Sequence, residues 1–143
     1  MGQDGSLVLA SSLFWRCNHC METIETPKRA LVVPAHPDDA EFGCAGTVAR
    51  WVREGVQVCY VLCTDGRAGT ADIEMPPERL AEIREREQRE AARVLGVQEV
   101  VCLRHPDGGL AWSEALLGEL VHAIRSFRPD VVLSMEPHRL SSH

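Results

Sequence analysis

The sequence predicts an α/β domain with a mostly parallel sheet and helices on both faces. Three observations predict it. Four short apolar runs alternate with three segments of helical period, in the order β-α-β-α-β-α-β. The strand runs are near-continuous in Val and Leu rather than alternating, the pattern of strands covered on both faces. His, Asp and Glu are concentrated directly after the strands, and ligands of open α/β sheets sit outside the carboxyl ends of the strands.

The elements follow in order. "ALVVPA" (30–35) is the first strand. In "CAGTVARWVREG" (44–55), Ala45, Val48, Trp51 and Val52 share one helical face and Gly55 is a stop. "VQVCYVLCT" (56–64) is the second strand, and "DGRAGTADIEM" (65–75) is loop by composition. A long helix covers about 77–95, opened by Pro76 and Pro77, closed by Gly96, with Leu80, Ile83, Ala91, Val94 and Leu95 as its apolar positions. "EVVCL" (99–103) is the third strand. "SEALLGELVHAIRSF" (113–127) is a helix with Ser113 as N-cap and Leu116, Leu117, Leu120, Val121, Ile124 and Phe127 facing inward. "DVVLS" (130–134) is the fourth strand.

Length and composition set the class. A chain of 143 residues, 45% hydrophobic and 25% charged, reads as one ordinary globular domain able to bury a core. A net charge of -6, a pI of about 5.5 and the lack of a basic stripe argue against nucleic acid as partner. No apolar stretch reaches the length of a membrane span. Residues 1–27 show no clear period and read as an irregular N-terminal leader; the domain proper is 28–143. Within the leader, "LVLASSLFW" has no Lys or Arg before it and does not read as a signal peptide. "MGQDGS" fits the myristoylation pattern M-G-x-x-x-S, which is short enough to arise by chance. Cys17 and Cys20 form one C-x-x-C, half of a zinc site at best. The six cysteines, with Cys44, Cys59, Cys63 and Cys102 in or beside predicted elements, read as reduced thiols of a cytoplasmic protein.

The chemistry begins at "AHPDDAEFG" (35–43). Carboxylates beside a core are costly to desolvate unless a metal or hydrogen bonds compensate. Pro37 stiffens the turn, so that residues 36 and 39 can point to one place and residue 38 elsewhere. His36 and Asp39 then read as ligands of Zn²⁺ or a similar divalent ion, with Asp38 beside a bound water as general base. The bland alternative is that Asp38 or Asp39 caps the following helix. Three other loops carry similar groups: Thr64 and Asp65; Arg104, His105 and Asp107; Glu136, His138 and His143. A catalytic zinc has three protein ligands, so one more must come from a distant loop.

"AHPDDAEFGCAGT" resembles the entry motif of the LmbE-like/PIG-L family of zinc-dependent N-deacetylases. "GVQVCYVLCTDGRAGT", "EIREREQREAARVLGV", "HPDGGL" and "RPDVVLSMEP" resemble that family's later segments, in order, from about residue 29 to the end. The resemblance implies a Rossmann-like three-layer sandwich and hydrolysis of an N-acetyl group on a small-molecule GlcNAc conjugate. It implies that His36 and Asp39 bind Zn²⁺, that Asp38 is the base, that Arg84 binds substrate, and that Asp107 contacts a sugar hydroxyl. Against these roles stand an Arg84–Glu87 ion pair tying helix to sheet and a turn role for Asp107 in "PDGG".

One departure bears on activity. The family's third ligand comes from an H-x-x-H motif past an Asp/Glu-Pro pair. Here Glu136-Pro137 is followed by "HRLSSH". His143 matches the first His of that motif, which by resemblance assists the transition state, and the second has no counterpart. Either His138 or His143 substitutes as ligand, or the C-terminal part of the family fold is missing and the chain is an inactive member with a binding or regulatory role. In that case exposed strand edges would favour a homo-oligomer. A dinucleotide-binding domain shares the alternation, but it requires G-x-G-x-x-G after the first strand, where this chain has "FGCAG" behind two carboxylates.

Overall fold

The computed structural model describes residues 8–10 and 26–135. Its elements are β1 (Val8–Ala10), β2 (Arg29–Val33), α1 (Asp39–Arg53), β3 (Gln57–Thr64), α2 (Pro77–Leu95), β4 (Glu99–His105), α3 (Glu114–Phe127) and β5 (Val131–Ser134). The strands form one sheet in the order β1-β5-β2-β3-β4, every pairing parallel. Within the leader read as irregular, Val8–Ala10 pairs with Val131–Leu133 at the sheet edge.

The alternation of side chains along the strands divides the core into two layers. Ala30, Val32, Val58, Tyr60, Leu62 and Val131 face one way and meet Val48, Trp51 and Val52 of α1 and Ala92 and Leu95 of α2. Leu31, Cys59, Val61 and Val132 face the other way and meet Leu120, Ala123, Ile124 and Phe127 of α3. This is the expected three-layer sandwich, with every residue of β3 after Gln57 buried.

Helix ends follow local chemistry. Ser113 Oγ accepts the Leu116 amide at 3.1 Å, the expected cap of α3. Pro77 opens α2, and Gly96 ends it at φ 80°. A Cβ on Gly96 would lie 2.7 Å from Val52 Cγ1, so this residue also lets α2 approach α1.

All three helices depart from expectation in detail. Helix α1 begins at Asp39, five residues before the predicted start. Its first turn is acidic, which the positive end of the helix dipole favours, but Phe42 there is exposed, so apolar periodicity starts only at Cys44. In α2 the buried residues are Leu80, Gln88 and Ala92, and Val94 is exposed rather than inward. The inward ladder runs 80-84-88-92, and Arg84 and Gln88 on it hide the stripe from an apolar count. In α3, Leu117 is half exposed and none of the helix is fully buried, so this layer is the more loosely covered one.

Candidate functional site

Strands β2, β3 and β4 deliver their following loops to one end of the sheet. Backbone bonds then tie those loops together. The Thr64 amide donates to the Ala35 carbonyl at 2.8 Å, and so does the Thr64 hydroxyl. The Asp65 amide donates to the His105 carbonyl at 3.1 Å. Gly66, at φ 68°, sits against the first loop: a Cβ there would lie 3.1 Å from Pro37 Cδ.

The His36-Pro37-Asp38-Asp39 turn divides its side chains as its stiffness predicts. His36 Nδ1 lies 3.3 Å from Asp39 Oδ2, and the His36 amide donates to the same oxygen at 2.8 Å. Asp38 goes elsewhere. It is the N-cap of α1 but has a left-handed backbone, φ 88° and ψ -23°, and its carboxylate makes no capping hydrogen bond. An N-cap ordinarily has an extended backbone and a side chain bonded to the helix amides. The helix-cap alternative therefore does not describe Asp38. Left-handed backbone costs a non-glycine residue about 1–2 kcal/mol, although Asp is among the residues that tolerate it.

Arg84 of α2 reaches the Asp38 carboxylate at 2.5 Å and the Pro37 carbonyl at 3.0 Å. Burial acts to lower the Arg84 pKa, but the Asp38 and Glu87 carboxylates outweigh it and hold the guanidinium above its usual range. Glu87 lies 3.2 Å from Arg84 on an exposed side, so it is a helix-surface partner rather than a buried one.

Asp107 comes in from the loop after β4. Its Oδ1 lies 3.0 Å from His36 Nε2. The Asp107 amide points at Asp65 Oδ1, 3.4 Å away. Burial pushes the Asp65 carboxyl up, but the Arg67 guanidinium and the amides of Arg67 and Asp107 outweigh this and hold it below the usual carboxylate range. Asp65, Asp107, His36 and Asp39 thus form one chain of contacts across three loops.

Two other residues of these loops turn away. Arg104, at φ 60° where the β3–β4 register is irregular, binds Glu85, and His105 meets Glu119 at 2.6 Å. Glu136, His138 and His143 lie outside the described residues, as do Cys17 and Cys20.

Sequence reasoning missed Gln88 and gave no role to Glu41, which it saw among the polar groups after the first strand. The Gln88 side chain is buried, accepts the Asp38 amide at 2.8 Å and donates to Glu41 Oε1 at 3.0 Å. The available signal was an amide four residues after Arg84, on the face of α2 that meets the turn. Burial, the largest influence, holds the Glu41 carboxyl above its usual range.

A tetrahedral zinc takes imidazole nitrogen and carboxylate oxygen donors of this kind. Two ligands about 2.0–2.2 Å from such an ion lie about 3.3–3.6 Å apart, and His36 Nδ1 and Asp39 Oδ2 are 3.3 Å apart. The opposite His36 nitrogen meets a carboxylate, as metal-binding imidazoles commonly do. His36 and Asp39 therefore fit two positions of the ion. Among the described residues no three such side chains form a metal-holding group.

Comparison with known proteins bears on the family and the fold. The profile of the PIG-L family, described as GlcNAc-PI de-N-acetylase, matches residues 31–143. A diacetylchitobiose deacetylase of Thermococcus kodakarensis is 35% identical over 129 residues, covering 90% of this chain and 47% of that protein. Among solved structures, an N,N'-diacetylchitobiose deacetylase from Pyrococcus horikoshii superposes with TM-score 0.72 at 38% identity, covering 74% of this chain and 40% of that one. A 4-carboxy-2-hydroxymuconate hydratase from Pseudomonas putida superposes with TM-score 0.70 at 28% identity, covering 75% and 46%. The chain thus spans less than half the length of each of these proteins. The extended profile match and the order of its motifs show that the chain belongs to the PIG-L/LmbE family.

Proposed function

We propose that the chain carries part of the active site of a zinc-dependent hydrolase that removes an N-acetyl group from a GlcNAc-containing small molecule. One observation carries the reading: within one turn His36 and Asp39 face each other as a donor pair, while the Asp38 carboxylate makes no bond to its own helix end and is held by Arg84. The deacetylase names of the two chitobiose relatives support the reaction and the substrate class.

His36 and Asp39 would hold the ion, with a third ligand from His138 or His143. When bound, Zn²⁺ supplies Lewis-acid polarisation of the amide carbonyl. Asp38 takes a proton from the attacking water as oxygen bonds to the carbonyl carbon. The C–N bond then breaks, the proton passes to the leaving nitrogen, and acetate and a free amine result. Arg84 holds Asp38 in the absence of substrate and has donors to offer a substrate oxygen. Asp107 orients His36 and, by family resemblance, accepts a sugar hydroxyl. His143 would stabilise the developing oxyanion if His138 is the third ligand.

No described helix is long and apolar enough to cross a membrane, and Cys44, Cys59, Cys63 and Cys102 are free thiols. Both fit the cytoplasmic location we propose. A second reading is tested by the same measurement as the first. On that reading the chain is an inactive member with a binding role.

Zinc stoichiometry separates the two, with His36→Ala measured alongside to subtract metal held at Cys17 and Cys20. The enzyme reading expects one His36-dependent zinc, and expects Asp38→Ala to keep that zinc and lose turnover. No His36-dependent zinc supports the inactive member. Full activity in Asp38→Ala would refute the base assignment.

A further inference from the structure

We infer that Gln88 is a positioning residue: its buried amide holds the Asp38 peptide in the left-handed turn that keeps the Asp38 carboxylate off the helix end. The inference rests on the deacetylase reading for its consequence in turnover, but the contact itself stands on geometry.

An Asp preceding a helix has a strong local alternative, in which it relaxes to an extended backbone and bonds its carboxylate to the first free amides. Asp38 does not take it. In the conformation it does take, the Asp38 N–H donates to Gln88 Oε1 at 2.8 Å. Gln88 is 2% exposed, so both ends of its amide must be satisfied inside the protein. Its Nε2 donates to Glu41 Oε1 at 3.0 Å. The Asp38 N–H can only donate and the Glu41 carboxylate only accept, so the amide has one orientation.

One side chain therefore bridges the residue before α1 and the first turn of α1. Four residues earlier on α2, Arg84 grips the Asp38 carboxylate. Helix α2 thus holds Asp38 at two points: Gln88 on its backbone and Arg84 on its side chain. Gln88 is buried and its amide bonds to Asp38 and Glu41, so its effect on chemistry would pass through Asp38.

The test is a set of three variants: Gln88→Leu, Gln88→Glu and the exchange Glu41→Gln/Gln88→Glu. Gln88→Leu removes both bonds. Gln88→Glu keeps an acceptor for the Asp38 amide but sets two carboxylates face to face. The exchange restores both bonds with the partners reversed, a Gln donating from position 41 and a Glu accepting at position 88. Hydrogen exchange of the Asp38 amide, followed by NMR, needs no turnover. Exchange should quicken about tenfold or more in Gln88→Leu and return toward wild type in the exchange variant. With a GlcNAc conjugate, kcat per folded molecule should fall at least about tenfold in both single variants, with KM within about twofold, and recover in the exchange.

A merely structural Gln88 would lower the thermal midpoint while leaving kcat per folded molecule unchanged, and that result overturns the inference. An Asp38 amide that exchanges as fast in wild type as in Gln88→Leu also overturns it. If wild type hydrolyses no conjugate yet its Asp38 amide shows the expected Gln88-dependent protection, the deacetylase reading fails and the positioning contact stands.

Discussion

His36 Nε2 lies 3.0 Å from Asp107 Oδ1, across two loops that are 71 positions apart in the chain, since 107 - 36 = 71. The same imidazole turns Nδ1 to Asp39. A carboxylate on the far nitrogen selects the tautomer and fixes the ring plane of a metal-binding histidine. Asp107 therefore has a role toward His36 besides any contact with a sugar.

Removing that carboxylate should weaken the metal. Asp107→Ala is expected to lower zinc affinity about 10- to 100-fold, as loss of such partners commonly does. A chelator competition titration reads it. An unchanged affinity with a raised KM would assign Asp107 to substrate contact alone.

Acid stability should report Asp65. Its pKa is depressed in the folded protein, so it contributes stability that is present above its unfolded pKa, about 3.9, and is lost as pH falls through the lower folded value. Asp65→Asn cannot titrate. The variant should therefore be less stable than wild type at pH 7, by about 1–3 kcal/mol, and the gap should narrow on going from pH 5 to pH 3. Urea unfolding at the three pH values measures it, and a gap that stays constant would show that Asp65 does not titrate differently on folding.

Gly66→Ala tests the approach of the β3 loop to the His36 turn. The left-handed backbone costs a Cβ-bearing residue about 1–2 kcal/mol, and the added Cβ would press on the Pro37 ring. We expect a thermal midpoint lower by several degrees together with weaker zinc binding, because the pressure falls on the residue next to His36. Loss of stability without any change in zinc affinity would separate Gly66 from the site.

The thiols should be slow to react. Burial pushes Cys59 up to about 12 and Cys44 up to about 11, and reactivity follows the thiolate. Alkylation at pH 8, followed residue by residue by mass spectrometry, should leave Cys44 and Cys59 largely unmodified in the native protein and complete in urea. Rapid native labelling of Cys59 would contradict its place in the core beneath α3.

Strand order apart, much of the architecture is legible without coordinates. Val-rich runs such as 58–62 announce strands covered on both faces, and Pro77, Gly96 and Ser113 mark helix ends by local backbone and capping chemistry. The pairing of His36 with Asp39, and the separation of Asp38 from both, follow from a four-residue turn stiffened by proline. Such features are local, and neighbouring residues suffice to decide them.

The partners of those residues are a different matter. Arg84 on Asp38, Gln88 on the Asp38 amide and Asp107 on His36 all join positions more than 40 apart. They depend on the β4-β3-β2 strand order and on the close passage of α2 over the start of α1. A buried polar residue and an exposed one look alike in a helical pattern, as Gln88 shows against Glu87. The sequence by itself determined most of the elements, the turn and the family, but not β1 or the start of α1; only the tertiary structure decided which polar side chains leave water. That choice turns on the desolvation of each group against the partner it meets, and the partner is brought by the fold.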